Sequence, residues 1–148
     1  MKSSLPSFIL ASFIGSFFYL IFGWFIFDFV LGSYTEAHTI QLVGFKKTND
    51  FNFMFLILSC LAYSILISTV LINVKITSSL KAFLFCSLLG VLIGCMTDFY
   101  WYASSHFYSN LIVVILDLFG AAISVGSLGL VNHFILRNSW INAKMNNK

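Results

Sequence analysis

The chain has 148 residues, of which 59% are hydrophobic, 18% aromatic and only 9% charged, with a mean hydropathy of +0.95. A water-soluble domain carries about a quarter charged residues, so this balance excludes that class and indicates a membrane protein. Net charge is +3, but the basic residues flank apolar runs and form no patch with interleaved aromatics, so nucleic acid is not an expected partner.

The N-terminus begins with Lys2 and runs apolar from about Leu5 to Leu31. That is too long for the apolar region of a signal peptide, and no A-x-A pattern follows, so it reads as a retained first helix. In all, four apolar stretches clear the roughly 20 residues needed to cross about 30 Å of hydrocarbon. They run about 6–32, 51–73, 81–103 and 110–136. The expectation is an all-α integral membrane protein, a single domain over 1–148 formed as an up-down bundle of four transmembrane helices.

Between the first two spans, 33–50 is the longest connection, and Glu36–Val43 within it reads as a short interfacial helix before Gly44 and the Lys46–Lys47 pair. The connection 74–80 is short, with Ser78 and Ser79, and 104–109 is shorter still. The tail 138–148 is polar and is expected to fray into solvent. Lys2, Lys75, Lys81, Arg137, Lys144 and Lys148 fall on one side of this topology, and only Lys46 and Lys47 on the other. The positive-inside rule then places both termini in the cytoplasm.

The third span carries the most distinctive stretch, Gly90 to Tyr102. Gly90, Gly94 and Asp98 follow i, i+4, i+8 and share one helix stripe. Small residues on such a stripe let another helix approach closely, and the acid then points into the bundle. On the fourth span, Asp117, Gly120, Ser124 and Ser127 repeat the pattern on one face, so close approach of spans three and four would bring Asp98 and Asp117 together. Gly90, Gly94, Gly120 and Ser124 are therefore read as helix-packing residues.

Three of the five acidic residues, Asp28, Asp98 and Asp117, lie in membrane spans, all toward the outer side, with no Lys or Arg in those outer halves. Ionised acids near one another in low dielectric repel, so such a cluster holds a proton, holds a cation or faces water. Thr97 and Tyr100 are candidates to support it by hydrogen bonding, with Tyr102, His106, Asn110 and Asn52 nearby in sequence or depth. Carboxylate, amide and hydroxyl oxygens suit a proton or hard cation, and a lone His106 is thin support for zinc, so the identity of any metal stays open. The competing reading is that each Asp accepts hydrogen bonds from a neighbouring helix and fixes the packing, with Asp28 solvated at the headgroups. Asn132 and His133 read as interfacial residues near the inner end of the fourth span, and Trp24 as core or lipid-facing. Trp101, Tyr100, Tyr102 and Trp140 read as interfacial anchors.

Cys60, Cys86 and Cys95 lie in apolar segments without a C-x-x-C, which fits buried free thiols. There is no P-loop, no G-x-G-x-x-G after a strand, no H-E-x-x-H and no serine elbow, so the motifs name no cofactor and leave its identity open.

At Gly23-Trp-Phe-Ile-Phe-Asp28, at Thr97-Asp-Phe-Tyr100 and at Asp117-Leu-Phe-Gly120, the chain resembles families of small four-helix bacterial membrane proteins with no defined activity, including forms from Bacteroidota. The resemblance spans most of the chain and implies architecture and a bacterial inner-membrane location, not a chemistry. Three readings of function follow. The first is a binding or transport-linked protein holding a proton or cation at the outer acids, with Asp98 and Asp117 central and Asp28 peripheral. The second is an accessory subunit packed against another membrane protein or a second copy of itself through Gly/Ser stripes. The third is a membrane enzyme acting on a lipid or quinone, which ranks last because no nucleophile–base pair can be named.

Overall fold

Each of the four apolar runs becomes a helix, because a chain in hydrocarbon must satisfy its backbone polar groups internally. The computed structural model describes residues 5–40 and 52–145, with side chains to Asn138. Helix α1 spans Leu5–Trp24 and runs into a π-helical turn, Phe25–Val30; α2 spans Gly32–His38, α3 Phe53–Val74, α4 Ser79–Ser104 and α5 Leu111–Met145. Four of these segments are long and apolar enough to cross a membrane. The protein is an all-α, multi-pass bundle with antiparallel neighbours.

The helix ends follow local chemistry. Pro6 sits in the first turn of α1, where its missing N–H removes no hydrogen bond. Asn52 caps α3 by accepting from the Met54 N–H at 3.2 Å, and Asn110 accepts from the Val113 N–H at 3.1 Å at the start of α5. Lys75 ends α3 in the left-handed conformation, φ 55°.

The π turn is where the first span departs from a continuous helix. The Leu31 N–H reaches back five residues to the Ile26 carbonyl at 3.0 Å. This turn carries Phe27 and Leu31 against α5 at Gly120, where an added Cβ would lie 2.9 Å from the Phe27 ring. Asp28 points to the exposed side.

The short helix also lies earlier than the expected Glu36–Val43. It ends at His38 because Thr39 turns extended, φ −112° and ψ 140°, and pairs antiparallel with Tyr108. Ile40 N–H donates to Phe107 at 2.9 Å and Ser109 N–H to His38 at 2.9 Å, tying α2 to the α4–α5 connection. Gly44, Lys46 and Lys47 lie outside the described residues.

Helix α5 is central. Its contact with α4 is the largest in the molecule, and α1 and α3 pack on it from the other side and on each other. The α4–α5 seam is set by glycines: a Cβ on Gly90 would lie 2.8 Å from the Ala121 carbonyl oxygen, and one on Gly94 2.7 Å from Leu118. Gly126 and Gly129 complete the seam against Ser87, Phe83 and Cys86. Gly120 faces the first span rather than α4, so the expected single small-residue face of α5 is divided between two partners. α1 offers a wholly small face, Ser7, Ala11, Ser12, Gly15 and Ser16, which permits close packing without bulky side chains. Ile67, Leu71, Cys86, Val125 and Leu128 form the apolar core between the helices. Large side chains point outward, as at Phe29 (78% exposed) and Met96 (77%), the inverse of a water-soluble core and suited to lipid.

One expectation about the fourth span is corrected: α5 does not end near Leu136 but continues to Met145, which replaces the frayed tail over 139–145 with helix. Asn132 and His133, near the inner end of the span, are buried within the bundle, 0% and 1% exposed. The Asn132 amide donates to the Ser64 carbonyl at 3.2 Å, the Ser64 hydroxyl at 3.1 Å and the Ser68 hydroxyl at 3.0 Å. Its Oδ1 lies against Gly15, so α1, α3 and α5 meet at one polar junction.

Candidate functional site

The close α4–α5 approach at Gly90 and Gly94 carries the next turn of α4 to the face of α5 that bears Asp117. Asp98 is 5% exposed. Its carboxyl lies within hydrogen-bonding reach of the Asp117 carboxyl, and Asp117 is half-buried. The Asp98 Oδ1 accepts from the Tyr108 hydroxyl at 3.2 Å and from the Thr97 hydroxyl at 3.2 Å. Thr97 has one hydrogen and also lies 3.0 Å from the Gly94 carbonyl, so Tyr108 is the more committed donor. The Asp98 Oδ2 is buried and receives no N–H or O–H donor.

Tyr108 closes the site from the loop side. It stands beside both acids, and its backbone is held by the pairing with Thr39. Burial pushes its phenol above the ordinary range, and the nearby Asp117 and Asp98 charges and the hydrogen bond to Asp98 push it further. On the far side, Tyr19 of α1 is close enough to Asp117 to feel its charge, and its ring stacks on Tyr63 of α3 with centroids 5.1 Å apart.

The other sequence candidates are placed apart from this pair. Tyr100 is 67% exposed and packs edge-on against Trp101. Asp28 and His106 are on exposed faces, and Asn52 and Asn110 are engaged as helix caps. Trp24 is half-exposed on the lipid-facing surface. Ser124 is fully buried and its hydroxyl has no partner. Tyr108, absent from the sequence candidates, stands ten residues from Asp98 across a helix end, a separation with no helical periodicity to flag it.

No family model, curated protein or solved structure matches the chain. The resemblance drawn from its motifs therefore rests on those motifs, and the site is judged by its chemistry. Two carboxyl groups in contact, without a cationic side chain beside them among the described residues, cannot both carry charge cheaply in low dielectric. A proton between them makes an O–H···O hydrogen bond in place of the repulsion. A small hard cation would be met by carboxylate, phenol and hydroxyl oxygens. Among the described residues no group of three or more His, Cys, Asp or Glu side chains is gathered for a metal.

Proposed function

We propose that this chain is a proton- or cation-holding membrane protein with a binding or transport-linked role, centred on Asp98 and Asp117 with Tyr108 as the cap over them. The observation that carries this reading is the buried Asp98, whose Oδ2 lacks a donor and whose carboxyl group adjoins that of Asp117. An intramembrane acid pair is expensive unless something occupies it. The distribution of Lys and Arg supports an orientation with both termini cytoplasmic, so that the pair lies in the outer half, and the resemblance of its motifs supports a bacterial inner-membrane location.

The test is the melting temperature of detergent-purified protein across pH and a panel of cations, beside Asp98→Asn and Asp117→Asn. A ligand stabilises only the state it binds, by about 2.7 kcal/mol at a hundredfold excess over its Kd. The expected result is a pH- or cation-selective stabilisation that each substitution removes. Asparagine brings its own amide hydrogens, so the variants should fold while losing the dependence. A flat response in the natural protein, or the same dependence in both variants, would refute the proposal.

A second reading, an accessory subunit, draws on the outer flank of α4, where Leu84, Leu88, Leu92 and Met96 are all exposed at i, i+4 spacing. A stoichiometric partner lost on bulky substitution at Leu92 would favour it. Gly94 is unsuitable for that test because it faces Leu118 within the same chain.

A further inference from the structure

At the end of the bundle opposite the acid pair, the chain leaves α3 at Lys75 and enters α4 at Ser79. A groove of about 530 Å³ opens there, lined among others by Val74, Lys75, Thr77, Lys81, Leu84 and Leu88. Its two halves differ in chemistry. At the rim stand the exposed Lys75 and Lys81, with the Thr77 hydroxyl between them in the connection. Along α4, Leu84 and Leu88 follow Lys81 at i+3 and i+7, so an apolar wall descends about 10 Å into the membrane beneath the charge. The profile is that of an amphiphile with an anionic head.

Among the described residues, no carboxylate side chain stands at this rim. Asp28, Glu36, Asp98 and Asp117 belong to the other end of the bundle or its connection. Arg137 adds a third cation at this end, one turn beyond His133, whose ring lies against the backbone of Ile76 and Thr77. The Ser78 side chain makes no capping hydrogen bond, which leaves the first-turn N–H groups of α4 facing the same rim.

We propose that this groove is a binding site for one anionic phospholipid, its phosphate held by Lys75 and Lys81 and one acyl chain laid along Leu84 and Leu88. Basic pockets between membrane helices recognise lipid headgroups by this combination of charge and adjoining apolar surface. The site is independent of the acid pair, and Asp98→Asn should leave it intact.

The experiment is native mass spectrometry of delipidated, detergent-purified protein titrated with phosphatidylglycerol or phosphatidylcholine. Phosphatidylglycerol should give a one-to-one adduct at concentrations where phosphatidylcholine gives none. The double variant Lys75→Gln/Lys81→Gln should weaken it about thirtyfold, the effect of two lysines at an anionic membrane surface. Lys75→Arg/Lys81→Arg should retain binding, and Leu88→Trp should weaken it with both lysines in place. A melting curve for each variant separates loss of the site from loss of the fold. Equal binding of the two lipids, or an unchanged adduct in the glutamine variant that still folds, would overturn the proposal. So would competition by inorganic phosphate, which would mean a simple anion site.

Discussion

Replacing Gly15 by alanine should weaken the bundle, and replacing Asn132 at the same time should return much of the loss. The alanine Cβ would fall on Asn132 Oδ1 and Ser64 Oγ, and 2.9 Å from Asn132 Cγ. The serine hydroxyl can rotate away. Asn132 cannot, because its amide is directed at three acceptors on α3 between 3.0 and 3.2 Å. Helix α1 must therefore retreat, and overpacking of this kind costs about 1–3 kcal/mol. Asn132→Ala alone forfeits two N–H donations, about 0.6 kcal/mol each on average in a membrane bundle and up to about 1.7. With the amide gone, the new methyl meets only a movable hydroxyl, so the double variant should be more stable than the sum by at least about 1 kcal/mol, outside the roughly 0.5 kcal/mol scatter of independent sites. Reversible unfolding in mixed micelles, followed by helical circular dichroism for all four proteins, measures the cycle. Additivity within that scatter would refute the three-helix junction.

Two further predictions concern the seam and the cap. Gly90→Ala should lower stability by about 1–3 kcal/mol, because its Cβ meets the immovable Ala121 carbonyl at 2.8 Å, whereas Gly23→Ala, with nothing within 4 Å, should be neutral or gain up to about 1 kcal/mol of helix propensity; paired melting curves decide. For Tyr108 the folded-state pKa is raised, so its neutral form contributes stability that is complete below the ordinary phenol value of about 10 and declines as pH rises above it. Tyr108→Phe should therefore flatten the alkaline part of the stability profile and remove one late-titrating phenol from the absorbance titration; an unchanged profile would separate Tyr108 from the acids.

The spans were legible because hydropathy over twenty residues is a strong signal, and the Gly90–Gly94–Asp98 stripe was legible because helical spacing is fixed. Which helices touch was not. The division of α5 into one face for α4 and another for α1 and α3 depends on the rotation of each helix, and Gly120 gave no sign that its neighbour is Phe27 rather than α4. The polar composition that follows Leu136 reads as a helix end although α5 carries on to Met145, and nothing in it shows that Asn132 turns into the bundle. The π turn at Phe25–Val30 has no composition of its own, and the Thr39–Tyr108 pairing joins connections whose sequences carry no complementary pattern. For the same reason the acids were found and their cap was not: Asp98 and Asp117 are conspicuous in apolar runs, and a loop tyrosine is not.

The central position of α5 has a consequence for how the molecule is made. Of the four spans it is the last to leave the ribosome, yet α4 depends on it for nearly all of its helix contacts and α1 and α3 both pack on it. Until it inserts, α1 and α3 can pair, but α4 must wait in the bilayer with Asp98 lacking its neighbour and Ser64 and Ser68 lacking the Asn132 amide. Assembly of the four spans is thus completed from their C-terminal side, and the polar groups that unite them are supplied by the last of the four to be translated, after the apolar spans they join are already in lipid.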